Sequence, residues 1–87
     1  MKEEYNYTLT VPLEDLVEVT ELLAEARAQT PQMRLTRKPD RKNCARFYLC
    51  FPLIGGRTDL TFSKWFATKK KEGWELFGPN YGIWGLA

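Results

Sequence analysis

The chain has 87 residues, 44% of them apolar and 28% charged, the make-up of one ordinary globular domain over residues 1–87 and not of a disordered or fibrous segment. No run approaches the roughly 20 apolar residues of a membrane helix, and the charged first six residues have no apolar signal core behind them, so a cytoplasmic setting without membrane contact is expected. The formal charge of +2 hides an asymmetry: residues 1–30 carry seven acidic groups against Lys2 and Arg27, whereas residues 31–87 carry eleven basic groups against four acidic ones.

Residues 5–11, Tyr-Asn-Tyr-Thr-Leu-Thr-Val, alternate with period two and predict a half-buried strand with Tyr5, Tyr7, Leu9 and Val11 facing inward. Pro12 suits the first turn of a following helix, and Glu14 and Asp15 complement the positive end of its dipole. On that helix Leu13, Leu16, Val17, Val19, Leu23, Ala24 and Ala26 share an apolar arc, while Glu14, Glu18, Glu21 and Glu25 form an acidic stripe opposite. The helix is expected to stop near Gln29, ahead of Thr30-Pro31.

A polar strand follows over residues 32–38, with Met33, Leu35 and Arg37 on one face and Arg34, Thr36 and Lys38 on the other. Pro39-Asp40 opens a turn. Residues 46–53, Arg-Phe-Tyr-Leu-Cys-Phe-Pro-Leu, are the one long apolar and aromatic run in mid-chain and predict the central strand, ended by Pro52. Pleating sends Phe47, Leu49 and Phe51 to one face and Arg46, Tyr48 and Cys50 to the other. Residues 33–51 then make a hairpin whose tip, residues 38–43, is strongly basic.

Gly55-Gly56 signals a tight turn, after which residues 57–62 read either as a hairpin partner of the central strand or as a loop. Ser63 reads as the N-cap of a helix through Glu72 with Trp65, Phe66 and Lys69 on its inner side, and Gly73 as its C-terminal stop. Residues 74–77 predict a short strand. Residues 78–82, Gly-Pro-Asn-Tyr-Gly, read as a turn or loop, and residues 83–86 as an edge strand or an apolar tail. The expected class is α+β: an antiparallel sheet with two helices on one face, in the β-α-β-β-α-β order of ferredoxin-like domains, with room for an extra hairpin strand. The topology resembles that of RNA-recognition domains, but residues 42–49 lack the glycine and spaced aromatics of that family's signature, so no site residue carries over.

The inventory argues against an enzyme. There is no histidine, and two cysteines alone cannot build a four-ligand zinc site. Cys44 and Cys50, about 20 Å apart if both lie on one strand, are beyond disulfide reach and are expected reduced. Neither they nor Ser63 have a sequence context that implies an activating base, the glutamate stripe has the spacing of a solvated helix face, and Gly55-Gly56 lacks the lysine and further glycines of a phosphate loop. No catalytic residue, metal or cofactor is expected.

Binding has better support. The open face of the sheet would show Asn6, Thr8, Thr10, Thr36 and Cys50 beside the cations, with Glu75 and Phe77 at its far side. Interleaved cations and aromatics suit nucleic acid, with Arg34, Lys38, Arg41, Lys42 and Arg46 neutralising phosphates and Tyr48 stacking on a base. The alternative is a small inhibitor or adaptor, for example of the phage- or mobile-element type, whose basic and aromatic surface docks on an acidic protein patch or a nucleic-acid-processing complex. The twelve aromatic residues favour such an interface, with Phe77, Tyr81 and Trp84 in its glycine-rich last segment. A homodimer through open faces, edge strands or the opposed charges is a variant of that view.

Overall fold

The computed structural model describes residues 2–53 and 61–84, with side chains over residues 4–53 and 61–80. Strand β1 (Lys2–Pro12) runs into a 3-10 turn (Leu13–Asp15) and helix α1 (Leu16–Gln29). Strands β2 (Arg34–Arg41) and β3 (Cys44–Pro52) form a hairpin, and helix α2 (Thr61–Lys69) precedes strand β4 (Glu75–Trp84). The class is α+β. The four strands make one antiparallel sheet in the order β2-β3-β1-β4, with edges at β2 and β4.

The alternation in β1 and β3 sorts their side chains between two environments. Tyr5, Tyr7, Leu9 and Val11 from β1 and Ala45, Phe47, Leu49 and Phe51 from β3 are buried in one cluster with Val19, Leu23 and Ala26 of α1 and Phe62 and Phe66 of α2. Both helices therefore cover the same sheet face. Aromatic rings dominate one end of this core. Tyr5 stacks on its cross-strand partner Phe51 at 5.2 Å, Phe51 meets Phe62 at 5.2 Å, and the chain of rings runs on through Phe66 to Trp74. Each such pair adds about 0.5–1.5 kcal/mol to the burial of its surface.

The apolar arc of α1 differs from the expected one. Val17 is 70% exposed and Leu13 and Ala24 are exposed too, whereas Leu22, left out of the arc, packs on the core with Leu16. The reason is the helical spacing itself: at 3.6 residues per turn Val17 and Ala24 fall opposite Val19, Leu22, Leu23 and Ala26 within α1, while Leu13 lies before it in the 3-10 turn. The inward positions then become 16, 19, 22, 23 and 26. All four glutamates of the stripe are exposed.

Helix α2 also begins earlier and ends sooner than expected. Ser63 is its third residue and not its cap, Phe62 is buried beside Phe66, and Lys69 is exposed at its last position. Gly73, at φ +90°, serves the turn into β4, where the left-handed conformation favours glycine. That turn is tied to the other helix: Trp74 Nε1–H donates to Asp15 Oδ2 at 2.8 Å, and Lys71 lies 3.0 Å from Glu18 and 3.4 Å from Asp15. The indole hydrogen bond, together with the Lys71 charge, holds the Asp15 carboxyl below its ordinary range despite its partial desolvation.

Residues 78–82 are not a turn. They lie inside β4, which pairs with β1 from Glu75 to Trp84 through a register shift opposite Asn6 and Thr8. Gly78, at φ +136°, makes the passage possible, since a Cβ there would meet the Asn6 carbonyl oxygen at 2.7 Å. The peptide bond to Pro79 is cis. Ile83 and Trp84 continue the same edge strand; Gly85 and Leu86, and the alternatives for residues 57–60, fall outside the described residues. No described helix is long and apolar enough to cross a membrane.

Candidate functional site

The face of the sheet away from the helices is organised in rows by the strand register. One row holds Lys38, Arg46, Thr10 and Glu75, and the next holds Thr36, Tyr48, Thr8 and Phe77. A third holds Arg34, Cys50, Asn6 and Asn80. Period-two alternation produces the first two rows, and the register shift in β4 brings Asn80 into the third.

Beyond the first row lies the hairpin tip. Arg41 pairs with Cys44, and the two residues between them, Lys42 and Asn43, have φ of 50° and 62°. Two consecutive positive φ values mark a type I′ turn, which matches the right-handed twist of the flanking strands. Pro39 and Asp40 do not turn the chain. They sit in β2 at a register shift between Lys38 and Arg41, and the edge position leaves room for a proline that has no N–H to donate.

The shift frees the Pro39 carbonyl, which accepts from Arg46 Nε–H at 3.0 Å. Asp40 instead receives Arg37 at 2.9 Å, and the Arg37 guanidinium lies 5.8 Å from the Phe47 ring centroid on the helix side of the sheet. At the tip, the Asn43 carbonyl accepts from Leu13 N–H at 3.0 Å, so the hairpin end is fixed to the junction of β1 and α1.

Four of the expected site residues converge. Arg41, Lys42 and Arg46 line a groove of about 240 Å³ with Thr8, Thr10 and Cys44, and Lys38 shares a row with Arg46. None of these four cations is paired with a carboxylate among the described residues. The one acidic side chain in the same row is Glu75, across β1 from Arg46. The Lys38 ammonium stands 5.5 Å from the centroid of the Tyr48 ring, a cation–π pair. Burial raises the Tyr48 phenol above its ordinary value, so the ring stays neutral well past physiological pH.

Arg34 is placed differently. Its Nη2 lies 2.8 Å from both carboxylate oxygens of Glu4, a side chain only 2% exposed on the same face. The guanidinium thus serves an internal acid. It sits about 13 Å along β2 from Lys38, four strand residues away. Cys50, beside it, is buried, and burial pushes its thiol up; a protonated thiol is the opposite of what a nucleophile needs. Cys44 and Cys50 are both free.

Phe77, expected on the open face and as part of a protein interface but not among the residues expected to meet nucleic acid, is 70% exposed on that face, two strands from Tyr48. Its alternation with the inward Leu76 is the signal that points it outward. The described residues contain no group of three or more acidic or cysteine side chains able to hold a metal ion. Comparison with known proteins found no matching family model, no matching curated protein and no matching solved structure.

Proposed function

We propose that this protein is a non-enzymatic binding protein whose basic hairpin and open sheet face engage nucleic acid or a similar polyanion. The observation that carries the reading is the convergence of Arg41, Lys42 and Arg46 around a groove at a fixed hairpin tip, with Lys38 paired beside Arg46 and none of the four spent on a carboxylate among the described residues. Cations already paired inside a protein have less to offer a phosphate, whereas these four would release condensed counterions on binding. The β2-β3-β1-β4 order with one helix after β1 and one before β4 supports a ferredoxin-like arrangement, which leaves one whole sheet face for such contacts. Two free cysteines suit a reducing cytoplasm.

The test is fluorescence anisotropy of labelled single-stranded DNA and RNA titrated with wild type and with the R41E/K42E/R46E variant at low salt. The proposal expects wild-type binding and its loss in the variant with the fold intact by circular dichroism. Equal binding by both proteins, or none by the wild type, overturns it.

A second reading, a protein-binding inhibitor or adaptor that docks through the acidic face of α1 and not through the basic and aromatic surface expected from the sequence, draws on Val17, 70% exposed between acidic side chains. An apolar residue in that setting suits a partner with a complementary basic rim. Its binding should fall on Val17→Asp substitution while the hairpin variant retains it.

A further inference from the structure

Within the polyanion reading, and resting on it, the geometry points to a preference for single-stranded nucleic acid: we infer that Phe77 and Tyr48 hold two splayed bases while the row beside them meets the phosphates. Phe77 and Tyr48 both pair with Thr8 from opposite sides, which puts them in one row of the open face with a small side chain between them. Two strand spacings separate their backbones by about 10 Å. A base can lie on a side-chain ring only with one of its own faces open, so bases seated on both rings have left helical stacking. Single strands offer such bases, and a duplex does not.

The surrounding side chains fit this use. Thr8 and Thr10 are half-buried and short, so the floor between the rings is low. Lys38 and Arg46 occupy the adjacent row, and Arg41 and Lys42 extend it past the hairpin tip. A backbone running along this row can turn its bases toward the aromatic row.

Tyr48 already carries the Lys38 ammonium over its ring. At an exposed site such a contact is worth about a two- to fivefold factor, whereas a base on an aromatic ring contributes about 5- to 150-fold. The base therefore displaces the ammonium, and the freed Lys38 can meet the phosphate of the same or the next nucleotide. Phe77 has no cation over its ring among the described contacts and takes a base with no such exchange.

The test compares three probes of one sequence: a labelled DNA oligonucleotide of about 12 nucleotides, its RNA equivalent and the DNA annealed to its complement, a length within the footprint of one small sheet domain. Wild type, Phe77→Ala, Phe77→Trp and Tyr48→Leu are titrated with each. Phe77 is exposed, so its replacement leaves the core untouched. The expected result is tighter binding of both single strands than of the duplex, a loss of about 5- to 150-fold for single strands with Phe77→Ala, and recovery with Phe77→Trp. Duplex binding and the salt dependence should be the same in Phe77→Ala as in wild type, because no phosphate contact is removed. Equal affinity for single strand and duplex, or a Phe77→Ala variant that binds single strands as wild type does, overturns the two-base inference and leaves the polyanion reading standing. Absence of binding to any of the three probes overturns both.

Discussion

Arg34 is where charge counting and structure part company, and its replacement separates fold from function. Arg34→Met keeps the aliphatic stem and removes the guanidinium. Arg34 itself is 57% exposed and loses little hydration in the pair, whereas the Glu4 side chain that accepts from it is 2% exposed. Both carboxylate oxygens are reached from one guanidinium nitrogen, so the pair is counted as one charged hydrogen bond and not as a two-nitrogen fork. A bond of that kind contributes about 1.5–3 kcal/mol, and about 2 kcal/mol is the expected loss. In a domain of this size the corresponding fall in Tm is about 8–16 °C. Thermal and urea unfolding followed by circular dichroism would measure it, with Glu4→Gln and the double variant closing a cycle whose coupling term isolates the pair. Nucleic-acid affinity of the folded variant should stay within about twofold of wild type, since a cation held by an internal acid releases few counterions. A Tm within about 2 °C of wild type would refute the stability argument, because that is less than about 0.5 kcal/mol.

Two further predictions concern the ends of the fold. Asp15 has its carboxyl lowered by the Trp74 hydrogen bond and the Lys71 charge, so its contribution is fully present above the unfolded carboxylate value of about 4 and is lost as pH falls through the lower folded value. The stability difference between wild type and Asp15→Asn should be constant near neutrality and shrink in acid, as read by urea midpoints across pH. At the hairpin tip, Lys42 holds a positive φ that asparagine and glycine adopt more readily. Replacing Lys42-Asn43 by Asn-Gly should stabilise the fold by about 0.5–1 kcal/mol in denaturant unfolding while weakening polyanion binding, so a gain in stability would accompany a loss in function.

Much of the fold was legible in the alternation of β1 and β3. Large side chains at every second position leave one register with a buried face, and Tyr5, Tyr7, Leu9, Val11, Phe47, Leu49 and Phe51 occupy it. Where tertiary neighbours decide, the sequence was silent. Gly78-Pro79-Asn80 has the composition of a turn, and only the close backbone of Asn6 and the extra residue that β4 carries at the register shift opposite Asn6 and Thr8 let it run on as a strand. Pro39-Asp40 and Lys42-Asn43 are both reasonable turn sites; the edge position of β2 lets the first pair become an irregularity and leaves the turn to the second. On α1, by contrast, the inward set of Leu16, Val19, Leu22, Leu23 and Ala26 follows from helical spacing alone, and Val17 and Ala24 fall opposite it.

The candidate site follows the same division. That Arg46, Tyr48 and Lys38 share the open face was readable from parity alone. That Arg34 answers to Glu4 was not, because the two lie thirty residues apart and β3 runs between their strands. Phe77 could be placed outward by alternation with Leu76, but its row with Tyr48 depends on β4 pairing with β1 on the side away from β3.

The most direct test of the central claim is the dependence of binding on salt for a single-stranded oligonucleotide. Four cations neutralising phosphates on a single strand predict that log K falls with log salt at a slope of about −3, from about −0.7 for each contact. The R41E/K42E/R46E variant should show no measurable binding across the same range. A slope near zero for the wild type would contradict the account, because it would mean that the hairpin cations are not the groups that meet the ligand.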